Sequence, residues 1–196
     1  MKSQLEFVKS LTSPQISSRI RAMNGHTSIT IVESVNFNDK LAVERQINDF
    51  AKKYAFANVE HARIISPNGN AYTLRGIGEI VDPTFIGDDA LRGSIVIHNH
   101  PPYPWGEPYD SFSVDDLGFA SRHNQMKHYL VSGVRRNSFE FTKTFTEDVV
   151  YDAWDNAESI MVEEAFDGLI TIINRQEEIL KILNRELEGF AFYENF

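Results

Sequence analysis

Apolar positions along the chain switch between two repeats, and each switch predicts an element. Leu5, Val8 and Leu11 stand at helical spacing, and Ser13-Pro14 followed by Ile16 and Ile20 reads as a capped helix start, so residues 1–25 are expected to form a peripheral helical segment. Residues 27–35 (TSITIVESV) alternate and are β-branched, which predicts a strand. Asn38-Asp39 then offers an N-cap to a helix carrying Leu41, Ile47, Phe50 and Tyr54. Residues 60–66 and 70–74 read as strands joined at Pro67-Asn68-Gly69, a hairpin signal. The glycine-rich stretch 75–89 predicts no regular element. Residues 93–98 (GSIVIH) read as a buried strand that Pro101 stops. Residues 101–112 combine prolines with aromatics, as expected of a structured loop, and Ser113 caps the next helix, with Asp115 and Asp116 in the first turn. Strands are expected at 127–132 and 138–145 around a turn at 133–137. From Thr146 onward the pattern is helical, with a break at Gly168 and an apolar stripe of Leu169, Ile172, Ile173, Ile179, Leu180, Leu183 and Leu187.

Composition narrows the chemistry. With 42% hydrophobic residues among 196, the chain can bury a core. It has no cysteine, which removes disulfides, thiolate zinc sites, iron–sulfur clusters and thiol nucleophiles. What remains is His, carboxylate and hydroxyl chemistry, or a metal held by nitrogen and oxygen. Nineteen basic against 28 acidic residues give a net charge of −9, which counts against a nucleic-acid partner. No run of about 18 apolar residues occurs, so no membrane span and a cytoplasmic location are expected.

His98 and His100 lie two apart at a strand end, so both imidazoles point to one face and can share an ion. Asp116, on the first turn of the following helix, is placed to be a third ligand, which leaves a fourth position open for water. Such a site needs an unligated carboxylate to take the proton of water, and Glu60, at the start of the strand before the hairpin, is the candidate. Ser113 is placed to steady an oxyanion through its hydroxyl or backbone N–H.

Glu60, His98-Asn99-His100-Pro101 and Ser113-Val114-Asp115-Asp116, in this order, resemble the JAMM (JAB/MPN) metalloprotease signature E…HxHP…SxxD. The hairpin after Glu60-His61 and the strand His128-Tyr129-Leu130-Val131-Ser132-Gly133 occur in the order seen in RadC-type and phage-associated members. The likeness covers roughly residues 57–135. It implies an α/β fold, a three-layer α/β/α sandwich around a mixed sheet at 26–145, with the N-terminal segment (1–25) and a C-terminal helical extension (146–196) added. It also implies Zn2+ on His98, His100 and Asp116, Glu60 as general base, Ser113 at the oxyanion, and hydrolysis of peptide or isopeptide bonds, often beside a ubiquitin-like tail. The alternative is a non-catalytic scaffold of the same fold, a RadC-like or phage accessory module whose C-terminal helices dock a partner or a second copy.

Twelve residues separate His100 from Ser113, more than the family pattern holds. The surplus carries Tyr103, Trp105 and Tyr109 and reads either as a substrate-facing lip or as packing. If it displaces the helix start, Asp115 or Asp110 replaces Asp116 as ligand. Glu79 is an alternative base, set in a glycine-rich loop. His61 follows Glu60 and must face the other side of the strand, so it is read as a packing residue, as are His26, His123 and His128, which lack a spaced partner. Gly76-Ile77-Gly78 has no strand–helix setting and no following Lys, so it is not a phosphate loop. The His–His–carboxylate order is the reverse of that usual in non-heme iron oxygenases, which favours zinc. The acids Asp148, Asp152, Asp155, Glu158, Glu163 and Glu164 read as the solvated face of a helix.

Overall fold

The computed structural model describes residues 28–32, 34–76, 81–101, 111–133, 135–171 and 174–195. The helical reading of residues 1–25, the aromatic loop with Tyr103, Trp105, Tyr109 and Asp110, and the residues His26, Gly78, Glu79, Ile172 and Ile173 lie outside them.

The protein is α/β with a mixed sheet of seven strands. In chain order these are β1 (Ser28–Val32), helix α1 (Lys40–Tyr54), β2 (His61–Ile65), β3 (Ala71–Arg75), a 3-10 turn (Thr84–Ile86), the short α2 (Asp88–Leu91), β4 (Ile95–His98), α3 (Val114–Arg122), β5 (Lys127–Ser132), β6 (Arg135–Phe141), α4 (Glu147–Phe166), α5 (Arg175–Glu186) and β7 (Phe190–Glu194). The sheet order is β1-β3-β2-β4-β5-β6-β7. Every described ladder is antiparallel except β4 with β5. A parallel pair needs a crossover, and here α3 supplies it. The carboxyl end of β4 and the amino end of α3 therefore meet at one edge of the crossover, the place where α/β sheets bind ligands.

Side-chain caps start the helices where the sequence placed them. Asp39 Oδ1 accepts from the N–H groups of Leu41 and Ala42 at 2.9 and 3.2 Å, and Thr146 caps α4; the cap of α5, Asn174, is one the sequence reading does not name. In the hairpin between β2 and β3, Gly69 adopts φ +86°, a left-handed conformation that its missing Cβ makes accessible.

Strand alternation sorts the core onto two faces. Ile65, Ala71, Ile95, Ile97 and Val131 pack with Val43, Ile47 and Phe50 of α1. Ile64, Tyr72, Leu74 and Val96 turn the other way, onto Ile86, Ala90 and Leu91. On that second face Leu130, Phe139, Phe190 and Phe192 pack with Leu117, Trp154, Met161, Ile179, Leu180 and Leu183 of α3, α4 and α5. Each Val, Leu, Ile, Met or Phe among them, withdrawn from water, contributes about 1.5–3 kcal/mol before entropy is counted.

The structure departs from the sequence reading in three places. The C-terminal segment is not wholly helical, because Phe190–Glu194 joins the same sheet by pairing with β6. The strand expected at 138–145 starts earlier, at Arg135, since the turn from β5 is shorter than the polar run suggested. The stretch 75–89 holds the 3-10 turn and the first residues of α2, whose Ile86, Ala90 and Leu91 are buried. Of the predicted stripe, Ile179, Leu180 and Leu183 are buried, while Leu169 is exposed. No helix among the described residues is long and apolar enough to cross a membrane.

Candidate functional site

The sheet carries the first two candidate ligands. His98 closes β4 on the face shared with Val96, and one step past Asn99 the chain returns His100 to that side. Their Nε2 atoms are 3.2 Å apart, a separation satisfied either by an N–H···N bond or by one shared ion. Asp116 enters from the first turn of α3, with Oδ1 at 3.5 Å from His98 Nε2 and Oδ2 at 3.9 Å from His100 Nε2. Among the described residues these three form the group able to hold a metal, their ligand atoms all within 4.8 Å of one another. Two ligands at about 2.0–2.1 Å from a tetrahedral zinc stand a little over 3 Å apart, so the donor set fits that ion.

The capping box of α3 orients the carboxylate. Ser113 donates to Asp116 Oδ2 from its backbone N–H and from its hydroxyl, each at 2.8 Å, while its Oγ accepts from Asp116 N–H at 3.2 Å. A local helix-start motif thereby fixes where this candidate ligand points. Asp115, the alternative ligand, is exposed and accepts from Tyr151 Oη at 3.2 Å, outside the triad.

Electrostatics hold His98 and Asp116 in the protonation states a metal ion would need. Burial pushes the His98 imidazole down to about 4, against the pull of Asp116. Burial pushes the Asp116 carboxyl upward, but His98, His100 and the Ser113 N–H outweigh it and leave it below its ordinary value. At neutral pH His98 therefore presents a neutral imidazole and Asp116 an anionic carboxylate, as metal binding requires.

The triad lies on a cavity of about 300 Å³ whose wall includes Glu60, Ser113, Asp115 and His128 among apolar Ala62, Ile64, Val81, Pro83, Val96 and Phe119. Glu60, Ala62 and Ile64 share this face by strand alternation. His61 and Arg63 take the opposite face. His61 is buried, stacks on Tyr54 at 4.2 Å and places Nδ1 2.9 Å from the Val59 carbonyl, so it packs as expected. The structure thus brings Glu60, His98, His100, Ser113 and Asp116 to one cavity.

Two residues of this region do more than the sequence reading assigns them: His128, read as a packing residue, does pack but also lines the cavity, and Asn99 has no role in that reading. His128 is 2% exposed, lines the cavity, stacks on Phe139 at 4.8 Å and stands edge-on to His98 at 6.2 Å. Its Nε2 meets Gln125 Oε1, and Gln125 in turn donates to Ser94 Oγ at 3.2 Å, while its Nδ1 is buried without a partner. Burial, with the His98 ring adding to it, pushes this imidazole down to about 3. The only signal for it was the alternation of 127–132, which places His128 with the ligands once β5 is known to pair with β4. Asn99, between the two histidines, is fully buried, and its side chain joins β4 to the start of β2. Compared with protein-family models, with curated proteins and with solved structures, the chain matches none.

Proposed function

We propose that the protein is a zinc-dependent hydrolase of peptide or isopeptide bonds, built as a JAMM-like α/β/α sandwich. The observation that carries this reading is the convergence of His98, His100 and Asp116 within 4.8 Å on the cavity that Glu60 also lines. His98, His100 and Asp116 would hold the ion. Zinc in such a site lowers the pKa of a bound water toward about 7 and polarises a carbonyl.

The chain's own residues do the rest. Glu60 takes the proton of the attacking water and returns it to the leaving nitrogen, so the C–N bond breaks without releasing an amide anion. Ser113 orients Asp116 in the resting site through its N–H and hydroxyl, and with substrate bound the hydroxyl would turn its one proton from Asp116 Oδ2 to the oxyanion while the N–H keeps Asp116 in place. The apolar wall of Ala62, Ile64, Val96 and Phe119 excludes water and strengthens these interactions. The substrate is a protein or peptide, with a ubiquitin-like tail as the first class to try.

The test is hydrolysis of an isopeptide-linked ubiquitin reporter and of a fluorogenic peptide library by the zinc-loaded chain. Cleavage that stops on chelation, returns with zinc and falls at least about a hundredfold in Glu60→Gln is expected. Cleavage indifferent to chelation would contradict the proposal. An intact zinc site that cleaves neither class would favour the scaffold alternative.

A further inference from the structure

We propose that Asn99 is a positioning residue that sets Glu60 against the metal-ligand triad, an inference that rests on the hydrolase reading above. The antiparallel ladder between β2 and β4 reaches its last register pair at Ala62 and His98. Beyond that pair β4 runs into Pro101, which has no N–H to continue the ladder. Asn99 extends it in two ways. Its backbone N–H donates to the His61 carbonyl at 3.2 Å. Its side-chain amide then acts as one more peptide group, with Oδ1 accepting from His61 N–H at 2.8 Å and Nδ2 donating to the Val59 carbonyl at 3.3 Å.

Those two bonds end on either side of Glu60. The amide orientation is forced, because a backbone N–H only donates and a carbonyl only accepts. Asn99 is 0% exposed, so the bonds are made away from solvent. From the other side Glu60 is held by Gly76, whose N–H donates to the Glu60 carbonyl at 2.9 Å. Strand alternation makes the consequence sharp, since a slip of one residue would turn Glu60 away and bring Val59 or His61 to the cavity. The residue between the two histidine ligands therefore fixes both which side chain faces the triad and how far along the strand it stands. No other side chain type of this size offers a donor and an acceptor in one plane without adding charge beside the ligands.

The test uses the full chain with cobalt(II) in place of zinc, because the visible spectrum of cobalt reports its surroundings without any substrate. Absorption is followed against pH for the wild type, Glu60→Gln, Asn99→Leu, Asn99→Ser and the double variant Glu60→Gln/Asn99→Leu, with circular dichroism to check folding. Glu60→Gln is expected to move the midpoint of the spectral titration by about one pH unit. Asn99→Leu should move it in the same direction by a comparable amount, with cobalt stoichiometry unchanged, and should add nothing in the Glu60→Gln background. Asn99→Ser, which leaves room for water, is the variant that decides if Asn99→Leu does not fold, and it should shift the midpoint the same way. An Asn99 effect of equal size in both backgrounds, or none in either, overturns the proposal. A midpoint unmoved by Glu60→Gln overturns the role of Glu60 and this inference with it. A wild type that binds no cobalt overturns the metal reading itself, and the inference falls too.

Discussion

Asp116 Oδ2 receives two hydrogen bonds from Ser113, one from the backbone N–H and one from the hydroxyl, both at 2.8 Å. A helix cap and the support of a candidate metal ligand are thus the same pair of residues. Ser113→Ala removes the hydroxyl from both jobs. It should lower stability by about 1 kcal/mol, as loss of a serine N-cap does. It should also weaken zinc binding about 10- to 100-fold, the usual consequence of removing a group that orients a ligand. Urea unfolding of the metal-free chain reads the first effect and chelator competition the second. An unchanged zinc affinity would show that Asp116 needs no such support.

Acid should destabilise the metal-free protein earlier than its carboxylates alone would. His98 and His128 are pushed down by burial to about 4 and about 3, against 6.5 in the unfolded chain. Below pH 6.5 the unfolded state binds protons that the folded state refuses, so stability is full above that pH. It declines as pH falls through 6.5 toward 4 for His98 and toward 3 for His128, on the order of 1 kcal/mol per pH unit for each. Urea melts between pH 8 and 5 should be flat at first and then fall. His128→Phe should make the fall shallower, and a slope unchanged in that variant would show that His128 is not held neutral.

The C-terminal strand should be part of the fold and not an appendage. Phe190 is 5% exposed and packs with Phe139 and Phe141 at ring separations of 5.8 and 5.7 Å. Phe190→Ala should cost about 3–5 kcal/mol in urea unfolding, the range for an aromatic lost from a core. A loss below about 1 kcal/mol would mean that β7 is dispensable.

On the opposite face of the sheet, Arg63 is almost fully buried and bonded through its Nε and Nη1. It donates to Thr73 Oγ1 at 3.0 Å, to Gln46 O and Oε1 at 3.2 and 2.9 Å, and to Asp49 Oδ2 at 3.1 Å. Arg63→Ala takes the donor from Thr73 Oγ1 and Gln46 Oε1, while the half-exposed Asp49 keeps Lys53 Nζ at 3.1 Å, and should cost about 1–3 kcal/mol. Because its side chain lies across the sheet from the triad, zinc affinity in the folded variant should be unchanged. A matching loss of zinc affinity would show that the two faces are coupled.

Much of the fold was legible because its signals are local. Asp39, Ser113, Thr146 and Asn68-Gly69 act within a few residues of themselves, and each sits where the sequence placed it. The spacing of His98 and His100 and the helix-start position of Asp116 are local too, so their meeting could be expected. What stayed hidden depends on pairings distant in sequence. Phe190–Glu194 becomes a strand because β6 offers an edge, against a preceding helical pattern that suggested more helix. His128 joins the cavity only through the parallel register that sets Val96 beside it. Asn99 stands in the sequence only as the residue between His98 and His100, and its reach to Val59 and His61, 40 and 38 residues earlier, leaves no trace in periodicity.

The most direct measurement is zinc anomalous scattering from crystals of the chain grown with zinc, read together with the ligands around the peak. The expected result is one ion held by His98 Nε2, His100 Nε2 and an Asp116 oxygen at about 2.0–2.2 Å, with its remaining position open toward Glu60. No peak at saturating zinc, or an ion on other residues while His98, His100 and Asp116 stand apart, would contradict the metal-centred account.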